Sequence, residues 1–460
     1  MRLATRPLHE HALTRRAWLG RRAAHWVIES TTGRFLLLVG LELLYYVSFS
    51  FTKWQPRPGQ LSVPVSLLPI PSVVWYTGTW LVFGAAMGVL LLSRGPLTPA
   101  MTTVGVRRIA TLAVVGAFAF EIVSRLMTVG FFGLERRVAP GWLGAGAVLI
   151  LAGGGLLLWL VRRPPSTRVL MALLLLGGLA VRALWFVLIP SDPAHSDNMF
   201  VILGGLQRFL AGQTPYAYFD FGTHKNPMPY LPWTFLSYVP AYVARLDIRL
   251  TNDVISLVIL FTLWATARVL PIRNETRESV MLALGVFYCL PLSVSLDQQT
   301  EFQLFNLAMV LTFTLIAVQR DRLAAAGYGV ALGAMPVALY CAPPLLAFAL
   351  RQRRPRDVLV LMALAAATAL VPILAFLGWD AQAFLWAVSY VPRENYQALN
   401  TTGAATLNVV DYELPVRMAW HLWAGRQLVF VQLALLAGFG WLSWRYLRTV
   451  HGLIGLAVAS

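Results

Sequence analysis

Charge is scarce in this 460-residue chain. Asp, Glu, Lys and Arg together make up 12% of it, against 58% hydrophobic residues, whereas soluble globular domains carry about 25% charged residues. That excludes an ordinary soluble domain. Lysine is almost missing: of 37 basic residues only Lys53 and Lys225 are lysines, and the rest are arginines. The net charge of +17 would suit nucleic acid only if the arginines formed a basic stripe interleaved with aromatics in a soluble segment. They do not; no nucleic-acid partner is expected. Cysteine is nearly absent too. Cys289 and Cys341 stand inside apolar runs, which excludes a disulfide framework or a CxxC metal motif and makes each a small core residue. No repeat of fixed period is visible, and no cytoplasmic nucleotide-binding domain.

What the chain has instead is long apolar runs. Phe35–Phe51, Val73–Leu92, Ile109–Thr128, Leu143–Val161, Val169–Ile189, Val254–Leu270, Val280–Leu296, Leu304–Val318, Val358–Leu377 and Leu428–Leu447 are the clear ones. Tyr230–Ala244 and Ala324–Leu350 are less regular. A bilayer crossing takes about 20 apolar residues, so the expected fold class is an all-α polytopic membrane protein with about 11–13 transmembrane helices. A largely polar, Arg-rich segment precedes the first run. It does not read as a cleavable signal peptide, and His9–Ile28 within it suits a basic amphipathic helix on the inner membrane surface.

The arginines orient these runs. Arg15-Arg16, Arg21-Arg22, Arg107-Arg108, Arg162-Arg163 and the stretch 351–356 flank apolar segments, and arginine clusters mark cytoplasmic loops. The N-terminus is then inside, and the segment Val169–Ile189 exits outward. Lys53, Arg57 and Arg136-Arg137 oppose that assignment. Two versions of the second half remain open. If Tyr230–Ala244 crosses the membrane, the polar cluster Asp297–Glu301 lies inside. If that Pro-rich stretch only dips in, the cluster lies outside, and Ala324–Leu350 folds as a hairpin broken at Pro336 or Pro343-Pro344. The second version fits the arginines better. Trp379–His421 reads as a further external loop. Residues 162–168 look like a boundary, dividing the chain into 1–165, an amphipathic segment plus four membrane helices, and 166–460, where the chemistry gathers.

That chemistry concentrates between Ser191 and Thr234. The stretch holds Asp192, Asp197, Asp220, His195, His224 and Lys225. Polar groups at one edge of a membrane bundle are a functional-site signal. Within it, Met199, Ile202, Leu203, Leu206, Phe209 and Leu210 follow helical spacing, which predicts an amphipathic helix over 196–212 lying at the membrane interface. Asp197 stands at its start, either as an N-cap or as a reactive carboxylate. Gly212-Gln213-Thr214-Pro215-Tyr216 follows as a turn. Tyr218, Asn226 and Tyr230 come next, suited to sugar faces and hydroxyls or to anchoring at headgroup level. His195 and His224 are more easily explained by hydrogen bonds than as ligands, and no metal is expected.

These residues carry a resemblance. An Asp after a core helix, an interfacial helix, a "G-x-x-P-Y" turn at 212–216 and a "Y-x-P" step at Tyr230-Leu231-Pro232 resemble the GT-C superfamily of membrane glycosyltransferases. The chain is most similar to bacterial polyprenol-phosphate-mannose-dependent enzymes and to GPI mannosyltransferase I. Asp197 precedes Tyr216 by 19 positions, as the resemblance requires. Ser295–Asn306 (SLDQQTEFQLFN) resembles the "GQ-x-N" or "RGN-x-E" block, and Ala326–Gly333 (AGYGVALG) the family's small-residue helix. The chain departs from the pattern at three places. Asp297 replaces the Gly of "GQ", Met335 precedes Pro336 where a lysine is usual, and Asn198-Met199-Phe200 replaces an acidic or aromatic pair. Residues 1–165 have no counterpart in that core and faintly resemble four-helix DoxX-like membrane proteins.

The resemblance implies an inverting hexosyl or pentosyl transferase of a bacterial plasma membrane, its site outside the cytoplasm. A polyprenyl-phosphate sugar, mannose being one candidate, is the donor. A hydroxyl of a glycolipid, glycan or protein is the acceptor, membrane lipids are the other partners, and no cofactor is required. Asp197 would be the general base. Asp192, His195, Tyr216, Tyr218, Asp220, His224, Lys225, Asn226, Tyr230, Gln298, Gln299, Glu301 and Arg393 would bind substrate. Lys225, Arg393 and Arg208 are the candidate cations for the donor phosphate. The alternative is a transporter or flippase of lipid-linked saccharides.

Overall fold

The computed structural model describes residues 52–57, 60–66, 166–188, 197–220, 225–269, 274–289 and 301–401, with positions 437, 438, 440, 441, 443 and 444. The described region is 84% helical, as an all-α chain requires. The four apolar runs before residue 165, and most of the last run, lie outside the described residues.

The first exception to helix comes early. β1 (Thr52–Arg57) and β2 (Gln60–Ser66) pair antiparallel, between the first two apolar runs. The alternation Leu61-Ser62-Val63-Pro64-Val65-Ser66 is a strand pattern, and Pro56 falls at the register shift between Gln55 and Arg57, a position that tolerates a missing N–H.

From residue 166 on, helices shuttle between two ends of a bundle. α1 (Thr167–Leu188) runs toward the end that carries Asp197. α2 is the amphipathic helix Asp197–Leu210, as the spacing predicts. It ends in a turn at Gly212, whose φ of 73° glycine adopts without steric cost. The short strands β3 (Tyr218–Asp220) and β4 (Lys225–Pro227) pair as a hairpin. The Pro-rich stretch after it is no straight span. It breaks into α3 (Pro232–Leu236) and α4 (Val239–Val243), each opened by a proline in its first turn.

α5 (Arg249–Val269) then returns beside α1, and α6 (Asn274–Cys289) comes back parallel to it. Thr167 Oγ1 donates to Glu278 at one level and Arg182 to the Tyr288 carbonyl at another. Trp264 Nε1 ties α5 to α6 through the Met281 carbonyl. α7 (Gln303–Ala317) and α8 (Asp321–Ala334) form a tight antiparallel pair. The chain breaks at Met335, runs through a 3-10 segment (Pro336–Cys341) and returns as α9 (Ala342–Gln352). This is the hairpin expected over 324–350, broken at Pro336.

α10 (Pro355–Thr401) corrects an expectation. The stretch from Trp379, read from sequence as an external loop, is helical to Thr401. Asp380 departs from helical geometry (φ −153°, ψ 86°), and its Oδ1 accepts from the Ala383 N–H. That is an N-cap contact: one helix ends and a second restarts. Polar residues such as Asp380 mimic a loop in sequence because caps and loops use the same side chains.

Among the described residues, two helices are long and apolar enough to cross a membrane, α5 and residues 355–389 of α10. Their outward faces fit that environment. Val254, Val258 and Phe261 on α5, and Leu359, Val360, Met362, Leu370, Val371 and Leu374 on α10, are all exposed. An unbroken apolar face of this kind marks contact with lipid or another apolar surface.

Small residues let α8 sit between its neighbours. A Cβ at Gly329 would collide with the Ala365 carbonyl oxygen of α10, and one at Gly333 would meet Trp233 and the Ala369 backbone. The run 326–333 is therefore a close-packing face, and that gives its glycines a physical reason.

Candidate active site

α2 is seated by its apolar stripe. Met199, Ile202 and Leu206 are buried, and Leu203 and Phe209 pack partly beside them. Their partners are protein side chains: Phe235 from α3, Tyr238, and Phe376 and Phe384 from α10. The helix expected to rest on a membrane interface thus buries its apolar face in the protein, leaving Leu210 exposed at its end. Aromatic rings fill the space. Phe209, Tyr216, Phe235 and Phe376 meet mostly edge to face at 5.3–6.2 Å, the favoured geometry for such pairs.

Tyr216 belongs to this packing. It is 3% exposed, its ring lies 4.8 Å from that of Phe384, and its hydroxyl donates to the Tyr230 carbonyl at 3.2 Å. Burial raises its pKa above the ordinary tyrosine value. Tyr216, expected as a substrate contact, packs in this core and joins the turn after α2 to Tyr230. Tyr218 is the reverse case: half its surface is exposed, at 52%, and its ring lies 4.5 Å from Trp386 of α10. Asp220 is exposed at the end of β3, opposite Lys225 in the ladder.

Among the described residues, a hydrogen bond joins the two sequence blocks. Asn198 Nδ2 donates to Glu301 Oε2 at 3.0 Å, across 103 positions of sequence. Glu301 is 7% exposed and stands two residues before α7. The start of α2 and the start of α7 therefore share one end of the bundle. Asp197 is the first residue of α2, next to Asn198. Its side chain lies outside the described atoms, as do those of Lys225, Asn226 and Arg393, whose backbones are placed in β4 and α10. Asp192, His195, His224, Gln298 and Gln299 lie outside the described residues. Arg208 is partly committed: its Nε donates to the Thr214 carbonyl at 2.8 Å, closing the turn after α2. Among the described residues no group of three His, Cys, Asp or Glu side chains could hold a metal.

A buried polar cluster was not foreseen. Arg182, on the first core helix, is 1% exposed. Its guanidinium lies 3.5 Å from Asp253, donates to the Tyr288 and Gly178 carbonyls and sits 3.8 Å from the Tyr288 ring centre. Beside Asp253, Asn252 accepts from the Tyr238 hydroxyl at 2.8 Å, which leads to the aromatic core under α2. Arg249 is chelated by Asp247 and lies over Phe186. The signal was present in sequence as a lone Arg within one apolar run and a lone Asp at the head of another, a pattern expected to pair. No family model, no curated protein and no solved structure matches the chain.

Proposed function

We propose that this chain is a polytopic membrane glycosyltransferase with a GT-C-like core. The supporting observation is the Asn198–Glu301 hydrogen bond. It joins the two blocks that carry the family resemblance, at the end where Asp197 opens α2. On this reading Asp197 takes the proton of an acceptor hydroxyl as its oxygen attacks the anomeric carbon. The bond from that carbon to the phosphate oxygen breaks, and polyprenyl phosphate leaves as an anion. The sugar inverts. General-base assistance of this kind contributes roughly 10²–10⁴-fold.

The leaving phosphate needs positive charge more than a strong acid. Lys225 and Arg393 remain the candidates, and Arg208 is a weaker one because Thr214 holds it. Tyr218 and Asp220 present an exposed aromatic face and carboxylate on β3, and would engage sugar. Asn198 would hold Glu301 against the start of α2 and so fix the position of Asp197. Arg168, Arg268 and Arg277 flank the opposite ends of α1, α5 and α6, while Arg320, Arg322 and Arg353 stand where α7 meets α8 and α9 meets α10. That asymmetry favours an extracytoplasmic Asp197 end.

A second reading keeps one observation in its favour. The buried Arg182–Asp253 pair is the kind of intramembrane charge that marks transport pathways, and a flippase of lipid-linked saccharides would use it. Purified protein in liposomes, given radiolabelled polyprenyl-phosphate mannose and a membrane acceptor, separates the two. Transfer yields label in a new glycosidic product. Label that only crosses the bilayer, still on polyprenyl phosphate, would reject the transferase in favour of the flippase.

A further inference from the structure

The arginines sorted to the end opposite Asp197 make a surface of their own. α7 passes into α8 through Arg320 and Arg322, and α9 into α10 through Arg351, Arg353, Arg354 and Arg356. The two junctions are far apart in sequence, yet Arg353 pairs with Asp321 and stitches them together. Six arginines then stand beside two carboxylates, Asp321 and Asp357, a surplus of four positive charges.

Arg320, Arg322, Arg354 and Arg356 are exposed and make no ion pair among the described residues. Like charges held this close repel one another unless an anion lies among them. The depth of the cluster says which anion. Immediately beyond it α10 exposes Leu359, Val360 and Met362, the start of its membrane-crossing length. Arg351 lies 4.9 Å over the ring of Trp444, and tryptophan favours headgroup level. A guanidinium can hold two phosphate oxygens at once.

We propose that this end of the bundle is a binding site for anionic phospholipid headgroups, with Arg354 and Arg356 as its principal contacts. Each basic residue near a charged leaflet raises affinity about fivefold. The inference does not depend on glycosyl transfer, and its test does not read activity.

The test is competition between phosphatidylglycerol and phosphatidylcholine of identical acyl chains for the full-length protein, read by native mass spectrometry. The wild-type chain selects phosphatidylglycerol. An R354Q/R356Q double variant loses that selectivity by on the order of tenfold, while R354K/R356K retains most of it. Arg245, exposed before α5 at the other end, supplies the control: R245Q leaves selectivity within about twofold of wild type. Equal selectivity in R354Q/R356Q and wild type overturns the site. So does an equal loss in R245Q, which would make the effect one of net charge. Inorganic phosphate is the last arm. It should not displace the lipid, and displacement at matched concentration would mean a free-phosphate site. Both glutamine changes are to exposed side chains, and thermal unfolding of the variants within about 2 °C of wild type confirms their folding.

Discussion

Tyr216 shows how a residue's surroundings bear on the role expected of it. In sequence it is the last letter of a motif that suggests sugar contact. In the fold it is buried among Phe235, Phe376 and Phe384, with its hydroxyl on the Tyr230 carbonyl. Tyr216→Phe keeps the ring and loses that bond, so stability should fall by about 1 kcal/mol with transfer nearly unchanged. A loss of transfer of 100-fold at normal stability would return Tyr216 to the substrate. The pH dependence has a definite sign. A tyrosine whose folded pKa is raised contributes stability that is complete below about pH 10, its unfolded value, and that falls as pH rises above it. Thermal unfolding followed across that alkaline range should decline more steeply in wild type than in Tyr216→Phe. Asn198 was legible only as a departure from a motif. Its partner, Glu301, is too distant in sequence for any local pattern to reveal the pair.

Among the elements, α2 was legible because burial of Met199, Ile202 and Leu206 leaves a helical period in the sequence. The break at Pro336 was legible because proline cannot donate an N–H to the helix ladder. The helical continuation past Trp379 was not, since Asp380 caps a restarting helix with a side chain that also suits loops. Asp380→Ala should cost about 1 kcal/mol, measurable as a lower unfolding midpoint in detergent. The clamp among α1, α5 and α6 predicts a larger effect. Asp253→Ala removes a carboxylate from beside the buried Arg182 guanidinium, a loss of about 3–5 kcal/mol. An R182M/D253L double variant removes both charges and should recover much of that stability. If the double variant were no more stable than Asp253→Ala, the pair would not be acting through burial of charge.

For the molecule as a whole, the order of ends is the main finding. α7 is 15 residues long, so about 22 Å separates the Glu301 end from the arginines that follow Val318. Arginine clusters alone suggested that arrangement. They left the path of 230–244 open, and that stretch breaks into α3 and α4, each five residues long and too short to cross a bilayer alone. Thr223→Cys should react with a membrane-impermeant thiol reagent in intact cells, and Arg354→Cys only after lysis. Labelling with the opposite pattern would invert the bundle and place Asp197 in the cytoplasm.

The proposed reaction rests on Asp197, and Asp197→Asn tests it most directly. Asparagine caps a helix about as well as aspartate, so the exchange leaves a structural role intact and removes the basic carboxylate. With expression and thermal stability matched, transfer from a polyprenyl-phosphate sugar to a membrane acceptor should fall by roughly 10²-fold or more, while Asp192→Asn stays near wild type. Undiminished transfer by Asp197→Asn would contradict the assignment, and a dead Asp192→Asn beside an active Asp197→Asn would move the base to Asp192.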